Sequence, residues 1–431
     1  MTPAPGTTAP GTTSARRLGR RGSFWTAAAV LALCLWASAA PSVLYPDYSA
    51  AWGLSPVVIT TIFGTYPVAL LLVLLFFGGV SDTIGRRRAM LLGVALIVAS
   101  AIVFALAPGV VWLYLGRILQ GAGVGFALGA GSAALVENNT SSNPRIASSF
   151  TTASTAAGLT LALLVTGALA QHAPLPLSLS YVVLLGLSVV VAVSLFLMPN
   201  DAPGAGSDGA GAAGGARPRW RPQAIRVPRG IRRSFVAATL SVSAAYAVGA
   251  IVLSLGAQMA REFTGTTDLL LVGILLAVSS FMIGVTALLF QRMHAHVAVI
   301  SGAVVGILGL VVMEASAAFG LLWLYLLWCV VGGVGYSLSF MGGVGLINRA
   351  APAEHRGAIL SALYLFSYLV QAIAAIAAGA FATALGLQAS IDIVAPALAV
   401  LCLGAGAVAA IDLVSSRRAE LARVALGVGS S

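Results

Sequence analysis

An arginine and a glutamine stand inside a long apolar stretch of the chain, residues 111–136. Arg117 and Gln120 are three residues apart, so on a helix their side chains would lie on one face. A charged side chain in such a stretch is costly to bury, so Arg117 is by default a candidate functional residue. The alternative is that Arg117 extends to an interface about two turns away and has no such role. Small residues on the same helix are suited to close helix packing: Gly121, Gly125 and Gly129.

A second set of residues with a defined spacing lies in the segment 78–88. Gly78, Asp82 and Gly85 follow the pattern Gly-x-x-x-Asp-x-x-Gly, and Gly85 permits a tight turn between two helices. Asp82 can pair with the guanidinium groups that follow the turn, which are those of Arg86, Arg87 and Arg88. A basic cytoplasmic loop would account for the arginines but not for the spacing of the glycines and the aspartate. The segment is therefore interpreted as a structured turn.

Four further side chains are candidates for the lining of a substrate cavity. The sequence places Tyr246 and Gln258 on the seventh apolar stretch, and Tyr364 and Tyr368 on the eleventh. Aromatic packing is an equally good interpretation of the tyrosines. These residues are hypotheses about substrate contact rather than a recognised motif.

Other ionisable side chains have simpler interpretations. Asp47 and Asp392 fall at the ends of apolar stretches, where an interfacial role is favoured over proton carriage. Glu314 lies inside the ninth stretch, and either extends outward or takes part in coupling. His294 and His296 fall in a loop with no third ligand in the sequence nearby, so no metal site and no cofactor is predicted.

Composition indicates the solvent of this chain. Of its 431 residues, 59% are hydrophobic and 8% are charged, whereas soluble proteins carry about 25% charged residues. An apolar stretch of about 20 residues crosses the hydrocarbon core of a bilayer as a helix. Twelve such stretches are predicted: 24–46, 56–77, 89–108, 111–136, 147–170, 177–198, 235–257, 268–290, 297–319, 321–347, 358–385 and 391–413.

The basic residues predict the orientation of these spans. All 23 are arginines, and there is no lysine. With the N-terminus in the cytoplasm and twelve spans, nearly all of them fall in cytoplasmic segments, and Arg261 alone falls in an outer one. An odd number of spans would place part of this charge on the wrong side. Both termini are therefore predicted to be cytoplasmic.

The two halves of the chain share short sequence matches. The Trp-Leu-Tyr-Leu segment at 112–115 recurs at 323–326, an offset of 211 residues. Gly121 matches Gly332 at the same offset, and Val-Gly-Phe at 124–126 resembles Val-Gly-Tyr at 334–336. Matches in corresponding spans predict a parallel repeat, two six-helix units related by an axis along the membrane normal.

The repeat and the composition predict five regions. A disordered basic tail (1–23) precedes the first six-helix half (24–198). A flexible basic cytoplasmic linker (199–234) leads to the second half (235–414) and a cytoplasmic tail (415–431). The linker arginines suit contact with an anionic inner leaflet, at about 1 kcal/mol per arginine. This interpretation is favoured over nucleic-acid binding, which is not predicted.

The segment 78–88 resembles the signature loop between helices two and three of the major facilitator superfamily. Gly78, Asp82, Gly85 and the arginines after it match that loop, whereas Thr83 departs from its usual basic residue. The resemblance covers roughly residues 24–414. It implies an all-α membrane protein of twelve transmembrane helices, arranged as two six-helix halves.

The resemblance also implies roles for particular residues. In that family the loop latches the cytoplasmic gate, by pairing with an acid at the end of helix four and with the start of helix eleven. Glu137 and the region near Gly357 occupy those positions here. The corresponding loop of the second half, 290–296, keeps Arg292 but has no aspartate.

The fourth span resembles the family's Arg-x-x-Gln-Gly-x-Gly segment, found in many proton-coupled members. The resemblance implies that Arg117 takes part in proton coupling or substrate binding, with Gln120 beside it. The Gly-Pro signature that drug–proton antiporters usually carry in the fifth span is missing. Residues 157–159 read Ala-Gly-Leu, and Gly167 follows without a proline.

The prediction for function is a secondary transporter that works by alternating access. Proton-coupled efflux of a small drug-like or amphiphilic metabolite is favoured, because the predicted cavity helices offer few fixed charges. One alternative is a proton symporter or facilitator that imports a small nutrient. Another is a non-transporting membrane receptor or assembly protein with the same fold.

Enzymatic activity is not expected. A chain without lysine cannot supply the lysine of a nucleotide-hydrolysing phosphate loop. The expected partners are a small-molecule substrate, protons and the lipid bilayer, with the chain acting as a monomer. The expected location is the inner membrane of a bacterium.

Overall fold

The computed structural model of this chain describes residues 18–77, 84–141, 144–199, 229–352 and 356–425. These residues form thirteen α-helices and one short 3₁₀ turn (Arg229–Ile231), and no strand occurs among them. The helices of the first half are α1 (Arg20–Trp52), α2 (Pro56–Phe77), α3 (Arg86–Ala105), α4 (Val110–Glu137), α5 (Pro144–His172) and α6 (Leu179–Leu197). Those of the second half are α7 (Arg232–Ser254), α8 (Gly256–Thr264), α9 (Leu269–Leu289), α10 (Ala295–Phe319), α11 (Leu322–Ala350), α12 (Arg356–Leu385) and α13 (Leu387–Ala425).

Twelve of these helices are long and apolar enough to cross a membrane, which confirms the predicted count. The exception is α8, whose nine residues follow α7 directly. The sequence prediction merged it with the seventh span, because the apolar run continues past Ser254. The buried residues of α8 include Ala257, Met259 and Ala260, and Arg261 lies in the last turn of this helix. Gly265, with φ +68°, ends the helix in the left-handed conformation that glycine adopts readily.

Helix ends differ from the hydropathy limits mainly at basic segments. α1 begins at Arg20, inside the tail predicted to be disordered, and the Arg20 guanidinium donates to the carbonyl oxygen of Glu137 over 3.0 Å. α13 continues to Ala425, well beyond the predicted limit at residue 413. Hydropathy marks only the lipid-embedded length, and a helix continues into water where its backbone bonds are kept. Most of the predicted linker, and residues 1–17, lie outside the described residues.

The helix contacts of the two halves correspond. In the first half, α4 packs on α1, α2 and α3, and in the second half α11 packs in the same way on α7, α9 and α10. The pair α1 and α5 likewise corresponds to α7 and α12, and the pair α3 and α6 to α10 and α13. The halves meet through two equivalent pairs, α2 with α12 and α5 with α9. This is the two-half architecture that the sequence predicted.

Glycine contacts indicate the register between the halves. A Cβ at Gly121 would overlap the Tyr66 carbonyl oxygen of α2, and one at Gly333 would lie 2.5 Å from that of Ser279 in α9. A Cβ at Gly123 would meet α3, and one at Gly335 would meet α10. Both pairs give an offset of 212 residues rather than the 211 of the sequence match.

The change of register alters which residue of the second half is equivalent to Arg117. The sequence match places Trp328 opposite Arg117, whereas the packing offset places Cys329 there. Gly332, the sequence partner of Gly121, faces the Trp328 indole of its own helix instead of a neighbouring backbone. Short matches between similar helices can slip by one residue, and packing against equivalent neighbours decides between the two registers.

The end of the bundle with the α1–α2 loop is here called the predicted outer end, following the arginine asymmetry. The opposite end, with the α2–α3 loop, is called the predicted inner end.

Candidate functional site

Arg117 lies in the interior of the first half and has no solvent-exposed surface. Its Nη1 donates to the backbone oxygen of Ser38 over 2.9 Å and to Oε1 of Gln120 over 2.7 Å. Its Nε donates to the Tyr45 hydroxyl over 3.1 Å, and Nη2 donates to the same hydroxyl. The side chain therefore turns towards α1 and does not extend to the predicted outer interface. Ser38 and Tyr45 belong to a helix in which the sequence marked no site residue.

Three aromatic rings surround the same guanidinium. The rings of Tyr45, Phe63 and Tyr66 have centroids 5.6, 5.7 and 5.7 Å from Arg117 Cζ. Each ring offers its face to a cation, a contact that contributes about 0.5–2 kcal/mol depending on desolvation. The groups around Arg117 are thus hydroxyl, carbonyl, amide and aromatic, and no carboxylate is among the contacts described.

Gln120 completes this centre and is also fully buried. Its Oε1 accepts from Arg117, which directs the amide nitrogen away from the guanidinium. That nitrogen, Nε2, is buried and has no hydrogen-bond partner among the described atoms. A buried donor without a partner costs about 1–3 kcal/mol, so the position is a candidate for a ligand contact.

The helix that carries this centre is held close to its neighbours by glycines. A Cβ at Gly125 would lie 2.9 Å from Val73, so α4 and α2 approach at this position as well as at Gly121. Gly129 has open space around it, so the third member of the predicted packing ridge makes no such contact. The ridge acts over two of its three glycines.

Aromatic side chains of the second half form a cluster that includes two of the predicted cavity residues. The Tyr246 ring lies 4.9 Å from that of Tyr368, 5.8 Å from that of Phe340 and 6.4 Å from that of Tyr336. Tyr364 packs at the edge of the same apolar group. The structure brings together Tyr246, Tyr364 and Tyr368, and adds Tyr336 and Phe340 from α11. The sequence repeat contained Tyr336 but gave no reason to treat it as a site residue.

This aromatic cluster (Tyr246, Tyr336, Phe340, Tyr364 and Tyr368) adjoins the arginine centre across the junction of the halves. Tyr66, whose ring faces Arg117, belongs to the large apolar group against which Tyr368 packs, and Tyr368 also packs against the group that contains Tyr246. The connection follows from the packing of α2 on α12. Gln371, on α12, is a second amide with an unsatisfied atom: its Oε1 is buried and has no partner among the described atoms.

Gln258 does not belong with these residues, contrary to the sequence prediction. It lies on α8 at the predicted outer end, where its Nε2 donates to Glu262 over 2.7 Å. The break between α7 and α8 at Leu255 turns the chain and removes Gln258 from the face that carries Tyr246. The prediction treated residues 235–257 as one helix and could not detect this break.

The predicted latch is described in part. Gly85 has φ +92°, a conformation that favours glycine, and α3 begins immediately after it. Arg86 Nε lies 3.3 Å from Oε1 of Glu137, which pairs the start of α3 with the end of α4. Gly78 and Asp82 lie outside the described residues. The pairing of Arg86 with Glu137 is the contact that the family resemblance implied.

The two arginines after Arg86 differ from it in position. Arg87 donates from Nε and Nη2 to the backbone oxygens of Leu195 and Phe196, each over 2.8 Å, and so caps the end of α6. Arg88 is exposed. The basic triplet therefore ties α3 to two different helices of the first half.

An ion pair joins the halves at the predicted outer end. Nη2 of Arg261, on α8, lies 2.6 Å from Oδ1 of Asp47, near the end of α1, and each side chain is 24% exposed. The sequence left Asp47 as an interfacial group, because the two residues are far apart in the chain. The pair gives the single arginine predicted to face outside a partner from the other half.

Further hydrogen bonds join the halves at the same end, at both helix pairs through which the halves meet. The Val57 amide donates to Thr383 Oγ1 over 2.9 Å between α2 and α12, and the Leu269 amide donates to Gln171 Oε1 over 2.8 Å between α9 and α5. All four residues lie at the predicted outer end. The described part of the chain is thus closed between the halves at that end.

A separate cluster of polar side chains joins three helices at the predicted inner end of the second half. Asp412 of α13 accepts from Ser234 Oγ over 2.7 Å and lies 3.0 Å from His296 Nε2. His296 is in the first turn of α10 rather than in a loop, which corrects the sequence interpretation. No group of three metal-ligating side chains occurs among the described residues. The cluster is therefore interpreted as a packing contact between α7, α10 and α13.

Comparison with known proteins gives a family match and a set of similar folds. The profile described as Major Facilitator Superfamily matches residues 25–313. A segment of 128 residues is 32% identical to Polyol transporter 5 of Arabidopsis thaliana, and covers 29% of this chain and 23% of that protein. The chain thus spans about a quarter of the length of that curated relative.

Solved structures extend the likeness to the whole fold. A mutant of the nucleoside transporter NupG superposes with a TM-score of 0.72 at 12% identity, over 90% of this chain and 100% of that chain. The POT family transporter PepTSo gives 0.72 at 11% identity, over 94% and 99%. A bacterial homologue of the human lysosomal transporter Spinster, in an inward-facing and unoccupied conformation, gives 0.66 at 16% identity, over 94% and 96%. Such identities establish the fold alone.

Proposed function

Because this chain belongs to the Major Facilitator Superfamily, we propose that it is a secondary transporter that moves a small molecule by alternating access. The observation that carries the proposal is the pairing of two six-helix halves through α2 with α12 and α5 with α9, beside a buried arginine centre. Equivalent contacts on both sides of a junction allow one half to rock against the other around a site between them.

The direction favoured in this proposal is export of a small amphiphilic molecule from a bacterial cytoplasm. The site offers aromatic surface, hydroxyls and two amides, a lining that suits a weakly polar body with one polar group. The proton motive force, with its chemical and electrical components, would supply the energy.

A second candidate is import of a small nutrient. It is supported by the partial likeness to a protein named as a polyol transporter, and by the missing Gly-Pro signature in α5. The two candidates differ in the sign of net movement and share the same machinery.

An accumulation screen tests the proposal. Cells that lack their own efflux pumps would express the chain, and uptake of a solute panel would be measured with and without a protonophore. Export predicts lower accumulation than in cells expressing Arg117→Ala, with the difference lost after the protonophore. Higher accumulation than in the Arg117→Ala cells would establish import instead. Equal accumulation of every solute by both proteins, each present in the membrane, would contradict transport through this centre.

A further inference from the structure

The charge of Arg117 has no negative partner in the part of the chain that the structure describes. Its guanidinium is fully buried and bonded to a hydroxyl, a backbone carbonyl and an amide. Arginine stays protonated at any physiological pH, so burial does not remove the charge. Neutral acceptors and aromatic faces offset only part of the cost of holding a cation away from water. The centre is therefore more stable in a state that brings an anion to it.

The carboxylates of the described chain are engaged elsewhere or lie far along the helices. Six of them contact groups other than Arg117: Asp47, Glu137, Glu262, Asp268, Asp392 and Asp412. Glu314 lies on α10, a helix that is not in extensive contact with α4. The acidic residues outside the described side chains fall, by sequence, between or beyond the predicted spans. Among the described residues no carboxylate bonds to Arg117, so an anion that offsets its charge would come from outside the described part of the chain.

A second, independent feature of the same centre points to a ligand. Gln120 is fully buried, its oxygen faces Arg117, and its Nε2 has no partner among the described atoms. Rotation of the Gln120 amide would bring its nitrogen beside the guanidinium, and the two donors could then bind the two oxygens of one carboxylate. A neutral or cationic ligand would leave the arginine uncompensated.

The side chains around Arg117 indicate the chemistry of the rest of the ligand. Tyr66 places its ring over Arg117, and Tyr368 of the aromatic cluster packs against the apolar group to which Tyr66 belongs. A molecule that binds at Arg117 and extends across the junction would therefore place its body among tyrosine rings. An apolar or aromatic body suits such a lining better than a highly hydroxylated one.

We propose that the transported molecule is a small organic anion, with its carboxylate between Arg117 and Gln120 and its apolar or aromatic body against the aromatic cluster. The proposal rests on the proposed transport function and names its substrate class. Tyr66 lies over the centre in the state described, so entry of the ligand requires this side chain to move. An inside-negative membrane potential drives an anion outward, which agrees with export.

Binding to the purified chain in lipid nanodiscs tests the substrate class directly. The probes are acid and amide pairs of the same shape: benzoate with benzamide, phenylacetate with phenylacetamide, and hexanoate with hexanamide. Affinity is measured by competition and by the shift in unfolding temperature. We expect the acid of at least one pair to bind about tenfold or more tightly than its amide. No preference for the acid in any pair would overturn the proposal.

Gln120→Glu makes the test specific to this centre. The substitution places a carboxylate beside Arg117, which supplies the missing counter-charge within the chain, so the unfolding temperature should not fall. The acid preference should be lost in this variant and kept in Gln388→Glu, which adds the same charge at an exposed position of α13. An acid preference unchanged in Gln120→Glu would contradict the proposal. If Gln120→Glu fails to fold, Arg117→Gln gives the same comparison.

These outcomes separate the substrate class from transport itself. Export of neutral solutes by cells, together with no acid preference in nanodiscs, would leave the transporter in place and refute the organic anion. An acid preference without movement of any solute would support the binding site and contradict the proposed function.

Discussion

Two charged residues of α4, Arg117 and Glu137, lie in contrasting surroundings. Arg117 is enclosed by neutral groups in the protein interior, whereas Glu137 is 47% exposed at the helix end and pairs with Arg86. An ion pair so close to water contributes at most about 1 kcal/mol. Such a contribution cannot hold the fold, but it is large enough to bias two conformations of similar energy.

The first prediction concerns this ion pair. Glu137→Gln removes the partner of Arg86, and a loss of about 1 kcal/mol changes a two-state ratio about fivefold. The halves are also in contact at the predicted inner end, where Ser149 Oγ donates to Gln291 Oε1 over 3.0 Å, so a variant that weakens the latch at this end should open it more often. The measurement is the labelling rate of a cysteine introduced at Gly357, after replacement of Cys34, Cys329 and Cys402. Labelling should rise up to about fivefold.

A matched control comes from the same basic triplet. Arg88 is exposed, so Arg88→Gln removes charge from the segment without removing the contact of Arg86 with Glu137. Its labelling rate should equal that of the parent. Equal labelling in Glu137→Gln and the parent would show that the segment is only a basic anchor. Asp82→Asn is expected to act in the same direction as Glu137→Gln, through the latch that the family resemblance implies.

At the residue scale, sequence was informative where a residue type conflicts with its surroundings. Arg117 was detectable because a charge is rare in a span, and Arg86 because a spaced motif contains it. Glu137 was identified through the family resemblance, which implies an acid at the end of helix four. Tyr45 carries no such conflict, since a tyrosine near a helix end is ordinary. Its hydrogen bonds to Arg117 depend on how α1 crosses α4, which no local pattern encodes.

The junctions of the halves are close because small residues face each other there. A Cβ at Gly167 of α5 would lie 2.7 Å from the Leu269 carbonyl oxygen, and one at Gly273 of α9 would lie 2.6 Å from that of Leu163. On the other junction, a Cβ at Gly379 would overlap the buried side chain of Thr60. Backbones this close allow small sliding movements but no added volume.

A second prediction follows at this scale. Gly167→Ala places a methyl group against the α9 backbone, so it should destabilise the protein by about 1–3 kcal/mol. Gly186→Ala on α6, where the added group meets open space, should be neutral or stabilise by about 1 kcal/mol, because alanine favours helix. Thermal unfolding of both variants in detergent, followed by tryptophan fluorescence, makes the comparison. Equal unfolding temperatures would refute the close crossing of α5 and α9.

Elements were predictable to the extent that lipid imposes them. Each span appeared as an apolar run, because a chain in hydrocarbon must satisfy its backbone bonds as helix. α8 was not predictable from the same rule. It continues the apolar run of α7, and the turn at Leu255 depends on packing against the rest of the bundle. Gln258 was misplaced for this reason, whereas Tyr246, in the middle of α7, was placed correctly.

The whole molecule must be oriented before its ends can be called inner and outer. The arginine asymmetry predicts that the linker near Gly209 is cytoplasmic and that the α8–α9 loop near Thr266 is outside. Reporter fusions at these two positions should give opposite signals. A periplasmic signal from the fusion at Gly209 would reverse the orientation and, with it, the assignment of the two ends.

Alternating access is the central claim, and a reversible lock across the halves tests it most directly. The Val57 amide donates to Thr383 Oγ1 over 2.9 Å, so these two positions of α2 and α12 are in direct contact and are a suitable pair for a trial disulfide. Val57→Cys with Thr383→Cys, in a chain without other cysteines, would hold the predicted outer end closed after oxidation. Proteoliposomes would then be assayed with a solute from the accumulation screen, using each single variant as control. Oxidation should abolish transport in the double variant alone, and reduction should restore it. Unchanged transport by the fully oxidised double variant would contradict alternating access at this junction.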